Sequence, residues 1–559
     1  MAESGDSPES SKNALKKAAK AAEKARIKAE KAAKELQLRQ HEQDVQDPAA
    51  NNYGDSPNTL AHDLSFPWVK LSHDIEKWED QSCAFRVVVE NARIQSAKLA
   101  FLTLSQSLES IQMVVAEDPG LISRPMIRFA GSIPPQSVCT VYATIRRTKE
   151  IVKSTTIQHF ELHAHKIFII SKAQMQLPLQ PADSERPLPQ EEKVDPDDQD
   201  NQVPRLLLLE VKTTLADQDN QVARPLVSLN TRLNNRVLDL RSRVNHCIYI
   251  IKDGVDSLFQ EFLRSQGFIR IHTPKIIGAA SEGGSNVFSL NYFNRTCYLA
   301  QSPQLYKQMA IQGRFPRVME IGPVFRAENS QTARHLTEFT GLDMEMEILA
   351  DYHEVVDMLE QLMLFIFNGL ATRYAKETEL VRNVYTTVES FKLPKVGHVP
   401  RIEFSEGIRM LREAGEVLGD DDDLTTPQER KLGQLILEKY NSDFYTLDHF
   451  PAAVRPFYTQ PSAHDARISN SYDMFVRGQE ILSGAQRIHN YDLLVSRIKD
   501  LGMDPDADGL RDYVEGFRYG CAPHGGGGLG LERIVQFYLG LPNIRLASLF
   551  PRDPGRVMP

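Results

Sequence analysis

Cysteine is scarce in this sequence of 559 residues: five, at Cys83, Cys139, Cys247, Cys297 and Cys521, with no close pair and an odd total. That usage excludes a disulfide framework and a cysteine-based zinc knuckle, and it reads as a chain of reducing, intracellular space. Long hydrophobic runs are missing as well. The apolar stretches at 167–170 and 206–209 fall far short of the roughly 18 residues that cross a bilayer, so the sequence predicts no membrane span. Positive charge is in deficit, with 65 Lys and Arg against 74 Asp and Glu for a net −9, which as an average argues against a nucleic-acid partner. What is present is ordinary for a soluble globular chain: 41% hydrophobic and 25% charged residues, with a length that suits two or three domains.

The average hides an asymmetry. Between residues 11 and 40 ten basic residues face three acidic ones, a local excess of +7. No Pro or Gly interrupts residues 11–46, and Lys12, Lys16, Lys20, Lys24 and Lys28 recur every fourth position, the spacing of a basic stripe on one helix face. The other face is mostly alanine, which excludes a coiled coil. The preference for Lys over Arg and the acids at 3, 6 and 9 speak against a mitochondrial transit peptide. The stripe reads either as a solvated half-formed helix or as an arm that tracks phosphates. Residues 1–57 are thus expected to form a basic helical arm and linker.

From 84 to 177 the pattern turns to short β-like runs at 85–89, 99–104, 138–145 and 160–170, which predicts a small β-barrel. Residues 178–225 are expected to be a linker with an insertion: 178–205 is rich in Pro, Asp, Glu and Gln, and the hexapeptide at 198–203 is repeated at 217–222. Two short copies do not make a solenoid and read as a local duplication or a gene-model error. From 226 to 559, helices at 237–266 and 352–377 are mixed with strands at 268–272, 318–328, 338–348, 443–447, 471–476 and 480–485. Several strands arrive in succession, so the expected class is α+β on a mainly antiparallel sheet.

Chemistry concentrates in three places. As a strand, 338–348 turns Thr340, Leu342, Met344, Met346 and Ile348 to one face and Phe339, Gly341, Asp343, Glu345 and Glu347 to the other. Before it, 321–328 ends in Arg326 and Glu328, and a polar loop with Arg334 and His335 joins the two. Such a unit can grip an anion, because Arg forks bind phosphate oxygens while carboxylates take amines or a divalent cation. Asp473 and Glu480 flank Arg477 and Gly478, a turn that would set the two carboxylates across a hairpin, with Ser483 nearby. The run GGGGLGLER at 525–533 has neither the lysine of a Walker A loop nor a dinucleotide fingerprint, and it reads as a glycine turn leading into an amphipathic helix.

Together these residues resemble the class II aminoacyl-tRNA synthetases. Phe325 to Glu328 with Arg334, His335, Glu338 and Phe339 looks like motif 2, GGLGLER at 527–533 like motif 3, and FIRIHTP at 268–274 like motif 1, whose proline, here Pro274, lies at the family's dimer interface. A preceding barrel resembles the OB-fold anticodon-binding domain of the aspartate, asparagine and lysine subclass. Within it, SEGGSNVF at 281–288, QSPQLYK at 301–307, ILSGAQR at 481–487 and the ending LFPRDP at 549–554 resemble the eukaryotic cytosolic aspartyl-tRNA synthetases.

The resemblance implies a cytoplasmic homodimer without a membrane partner. It implies L-aspartate, ATP and tRNA(Asp) as ligands, and Mg²⁺ as the cofactor. Arg326, Arg533 and Glu480 would be catalytic. Arg326 would hold the α-phosphate, Glu328 the adenine amine, Phe339 and Arg533 the two adenine faces, and Arg334 and His335 the outer phosphates or acceptor end. Asp473, Glu480 and Ser483 would hold Mg²⁺. Ser281, Glu282, Gln304 and Asp343 would take the substrate ammonium, and Lys307 and Arg487 its side-chain carboxylate. Two cations facing that carboxylate favour aspartate, since asparagine would leave them unpaired; asparagine enzymes generally carry an apolar residue where Lys307 stands. Phe101, Gln112 and Glu161 would read the anticodon. The remaining alternatives are an enzyme that also charges asparagine tRNA and a silent RNA-binding paralogue.

Overall fold

The computed structural model describes residues 47–56, 65–189, 225–278, 287–385, 391–395 and 397–559, in two units that divide between Leu177 and Pro178. The expected basic arm at 1–46 and the repeat at 198–222 lie outside the described residues.

In the first unit, β1 (Ser82–Ser96), β2 (Leu99–Gln106), β3 (Glu109–Ala116), β4 (Val138–Arg147) and β5 (Phe160–Ser171) form a closed five-stranded barrel. Neighbours pair antiparallel except β3 and β5, whose parallel pairing helps close it. Strand periodicity sets the inside: Ala100, Leu102 and Leu104 of β2 and Ile111, Met113 and Val115 of β3 are fully buried, and their alternates point outward. Helix α1 (Arg124–Gly131) lies between β3 and β4, capped by Ser123, whose side chain accepts from the Met126 N–H; it buries Met126, Ile127 and Ala130. The barrel is OB-like, as expected, but β3 and α1 were not among the segments read from the sequence.

The second unit is built on an eight-stranded sheet. Its strands are β6 (Ile269–Arg270), β7 (Arg317–Phe325), β8 (Glu338–Glu347), β9 (Arg401–Glu403), β10 (Phe444–Asp448), β11 (Ser471–Val476), β12 (Gln479–Gln486) and β13 (His524–Gly530), in the order β9-β10-β11-β12-β13-β8-β7-β6. The six central strands are antiparallel, and only the edge strands β6 and β9 pair parallel. Helices α2 (Arg243–Ser265), α3 (Gln304–Gln312), α4 (His353–Arg373), α5 (Thr426–Tyr440) and α6 (Leu531–Leu539) surround it, with α2 packed on α4 and α6.

Three sequence expectations change here. The glycine run at 525–530 is no loop: it is β13, between β12 and β8. A Cβ on Gly526 would lie 2.1 Å from the Met344 carbonyl oxygen and 2.4 Å from Glu345 Oε2, so side chains are excluded there by the neighbouring strand. The helix expected at 237–266 starts afresh at Ser242, which caps α2 through the Asn245 N–H. Helix α4 has the length and mean hydropathy (1.3) to span a bilayer, which a search for unbroken apolar runs misses; its Val355, Leu359, Met363, Phe367 and Leu370 are buried in this unit.

Candidate active site

The sheet's middle strands floor a cavity of about 340 Å³. Gly341 and Asp343 of β8, Gly528 and Gly530 of β13, and Ser483 and Ala485 of β12 line it from the sheet; Arg326, Glu328, Arg334, His335, Phe339 and Arg533, with Gln304, Arg455, Tyr458 and Arg487, complete its lining. Glycines at the floor let a ligand approach the backbone.

One end of the cavity is a chain of alternating buried charges. Lys307, 2% exposed, comes from α3 and donates to Asp343 Oδ1 at 2.8 Å, with its Nζ 3.4 Å from Glu345 Oε2. Arg487, just past β12, donates from Nε to Glu345 Oε1 at 2.9 Å, and from Nη2 to Glu345 Oε2 at 3.2 Å and to the Gly526 carbonyl at 3.0 Å. Burial works against the Glu345 carboxylate, yet Arg487 and Lys307 hold its pKa below the ordinary value. Gln304, Asp343 and Arg487 line the cavity, while Lys307 and Glu345 join Asp343 to Arg487 and are not among its lining residues. Glu345, the link between the two cations, was visible only as one acid in a row on the strand.

The other end is a ring of arginines. Arg326 lies 5.7 Å over the Phe339 ring, with Nη1 4.0 Å from Glu328. Arg533 Nη1 donates to the Glu480 carbonyl at 3.3 Å and sits 4.0 Å from its carboxylate. His335 makes a 2.6 Å hydrogen bond between Nδ1 and Thr332 Oγ1. Burial, followed by the charges of Arg533, Arg334, Arg326 and Arg545, lowers its pKa to about 4, so the imidazole is neutral near pH 7. Arg334 reaches Glu429 Oε2 at 3.0 Å and also bonds Thr426 on α5.

The hairpin of β11 and β12 turns at Arg477 and Gly478, both left-handed at φ 53° and 68°. Its register differs from the expected one: a shift between Met474 and Phe475 sets Asp473 opposite Ser483 and Glu480 opposite Phe475, so the two carboxylates do not face each other across the ladder. Asp473 accepts from Arg455 Nη2 at 2.8 Å through Oδ2, while its Oδ1 is buried without a hydrogen-bond partner. Burial raises its pKa, Arg455 opposing and Glu480 adding to the rise. An orphaned carboxylate oxygen beside Ser483 and Glu480 fits a divalent cation. Arg455, in an irregular loop, has no local signature and was missed.

Ser281 and Glu282 fall outside the described residues, and Pro274 is exposed, following β6. In the barrel, Phe101 carries the Arg93 guanidinium 5.7 Å over its ring, and Gln112 donates to Glu161 Oε2 at 3.0 Å across the parallel β3–β5 pair. These three occupy the outward alternates of adjacent strands.

Comparison with known proteins supplies the remaining findings. The family described as tRNA synthetases class II (D, K and N) matches residues 228–554. Cytoplasmic aspartate–tRNA ligase of Caenorhabditis elegans is 43% identical over 99% of this chain and 99% of its own length; the human protein of that name is 44% identical over 85% and 89%. The solved aspartyl-tRNA synthetase of Entamoeba histolytica is 41% identical, superposes with a TM-score of 0.77, and covers 91% of this chain and 96% of its own.

Proposed function

From the premise that the chain belongs to the class II aminoacyl-tRNA synthetases for aspartate, lysine and asparagine, we propose a division of labour within its cavity for charging tRNA(Asp). The activity is that of a cytoplasmic aspartate–tRNA ligase, with ATP- and Mg²⁺-dependent catalysis typical of the class. The observation that carries the substrate assignment is the buried Asp343–Lys307–Glu345–Arg487 chain. Lys307 and Arg487 offer a β-carboxylate two charged donors, and Asp343 with Gln304 offers acceptors to the ammonium. An amide in place of the carboxylate would bring an NH₂ against two cations, a mismatch worth roughly 10⁴-fold in discrimination.

In the first step an oxygen of the substrate α-carboxylate attacks the α-phosphorus of ATP; the bond to pyrophosphate breaks and aspartyl-adenylate forms. Arg326 stabilises charge developing on the α-phosphate, Phe339 and Arg533 sandwich the adenine, Glu328 accepts from its amine, and Arg334 and His335 meet the outer phosphates. A neutral His335 donates or accepts there without adding to the arginines' charge. Asp473, Glu480 and Ser483 would hold Mg²⁺, which when bound supplies positive charge for the phosphates. In the second step a terminal ribose hydroxyl of the tRNA attacks the aspartyl carbonyl and AMP leaves. No covalent enzyme intermediate is needed, because positioning and electrostatics supply the rate.

For the tRNA, Phe101 offers a stacking face, and Gln112 and Glu161 offer polar edges to an unstacked anticodon base. The homodimer reading draws on exposed apolar side chains that flank Pro274 in the chain, Ile269 and Ile276. Aspartate-dependent ATP–pyrophosphate exchange tests the assignment. Exchange with aspartate and none with asparagine is the expected result; no exchange at all defeats the enzyme reading, and equal exchange with asparagine defeats the specificity.

A further inference from the structure

Arg334 belongs to the loop joining β7 to β8, and its guanidinium is held from behind. Nη1 donates to Glu429 Oε2 at 3.0 Å and Nη2 bonds Thr426 Oγ1. Both partners sit in the first turn of α5, fixed by a capping box between Thr425 and Gln428. Arg334 lines the cavity but Glu429 does not; it is 8% exposed. The same turn also braces the metal-binding hairpin, since a Cβ on Gly478 would lie 2.7 Å from the Glu429 carbonyl oxygen. Burial raises the pKa of the Glu429 carboxyl to about 7, with Glu480 adding to the rise while Arg334 and Arg533 favour the ionised form. Tyr445, from β10, also feels its charge.

A buried carboxylate is costly unless a partner needs it. The partner here is one member of a ring in which Arg326, Arg334 and Arg533 all press on His335. Like charges so close would turn a loop arginine out to solvent unless hydrogen-bond acceptors behind it held it in place, as Glu429 Oε2 and Thr426 Oγ1 do. We propose that Glu429, with Thr426, is a positioning residue for ATP: it keeps Arg334 in the cavity wall, aimed at the outer phosphates, before the nucleotide arrives. This rests on the reading of Arg334 as a phosphate contact. Preorganisation of this kind acts on the nucleotide and leaves the aspartate end untouched.

The test is pyrophosphate exchange by the full chain carrying Glu429→Gln, Thr426→Val, Arg334→Ala, or Glu429→Gln combined with Arg334→Ala, each checked by thermal melting. Glu429→Gln is expected to raise the KM for ATP about tenfold with the KM for aspartate unchanged, and Thr426→Val to do so by a smaller factor. In the Arg334→Ala background Glu429→Gln is expected to add nothing, because its effect runs through that guanidinium. An unchanged ATP KM in Glu429→Gln, an equal loss for ATP and aspartate, or a full additional effect in the double variant would each overturn the proposal. If Arg334→Ala alone leaves the ATP KM unchanged, the phosphate-contact reading of Arg334 fails first and takes the positioning role with it.

Discussion

At the scale of single residues, the site is governed by charges that are buried yet paired. Glu345 is fully buried and touches both Lys307 and Arg487, so each member of the chain depends on its neighbours. Lys307→Met is expected to lower aspartate kcat/KM in pyrophosphate exchange by roughly 10³-fold or more. It should also cost about 3 kcal/mol in stability, because Asp343 and Glu345 lose a buried cation; a urea titration measures this. His335 gives a pH signature. Its folded pKa of about 4 lies below the unfolded value of about 6.5. The unfolded chain therefore binds the proton first, and stability present above pH ~6.5 is lost as pH falls toward 4. His335→Gln removes that titration, so its melting temperature is expected to fall less between these pH values than the parent's. An identical fall in both proteins would show that the ring is not held neutral.

At the scale of elements, local periodicity served well wherever one face meets the core. The alternation of Leu342, Met344 and Met346 with Asp343 and Glu345 fixed both the span and the functional face of β8, and β11 was read to the residue. It failed at β13, because five glycines in seven residues carry no side-chain pattern and their local preference is a turn. The strand exists because its neighbours leave no room for a Cβ. Gly526→Ala is accordingly expected to destabilise the protein by about 3 kcal/mol or more. Gly530→Ala, where a Cβ meets nothing closer than 3.7 Å, should stay within about 1 kcal/mol. Comparable losses from the two would remove the steric account. The hairpin register was missed for a related reason: a bulge between Met474 and Phe475 depends on how the strand packs, and nothing in the dipeptide announces it.

At the scale of the whole molecule, the net charge of −9 coexists with partners that are polyanions, because binding depends on local surface. Every residue lining the cavity falls between 301 and 544, within the second unit. A fragment of residues 178–559 is therefore expected to keep pyrophosphate exchange and to lose most tRNA charging; a fragment that folds but cannot exchange would contradict that division. Deleting residues 1–46 should weaken tRNA binding and flatten its salt dependence while exchange persists, and an unchanged salt slope would mark the arm as idle. The sequence by itself determined the strand periods and the chemical types gathered in each motif, since both are encoded within a few neighbouring residues. Only the tertiary structure decided which charges meet. Glu345 and Arg487 are 142 positions apart and Arg334 and Glu429 are 95, and partners so distant leave no local pattern, because a buried ion pair is specified by the packing that excludes water around it.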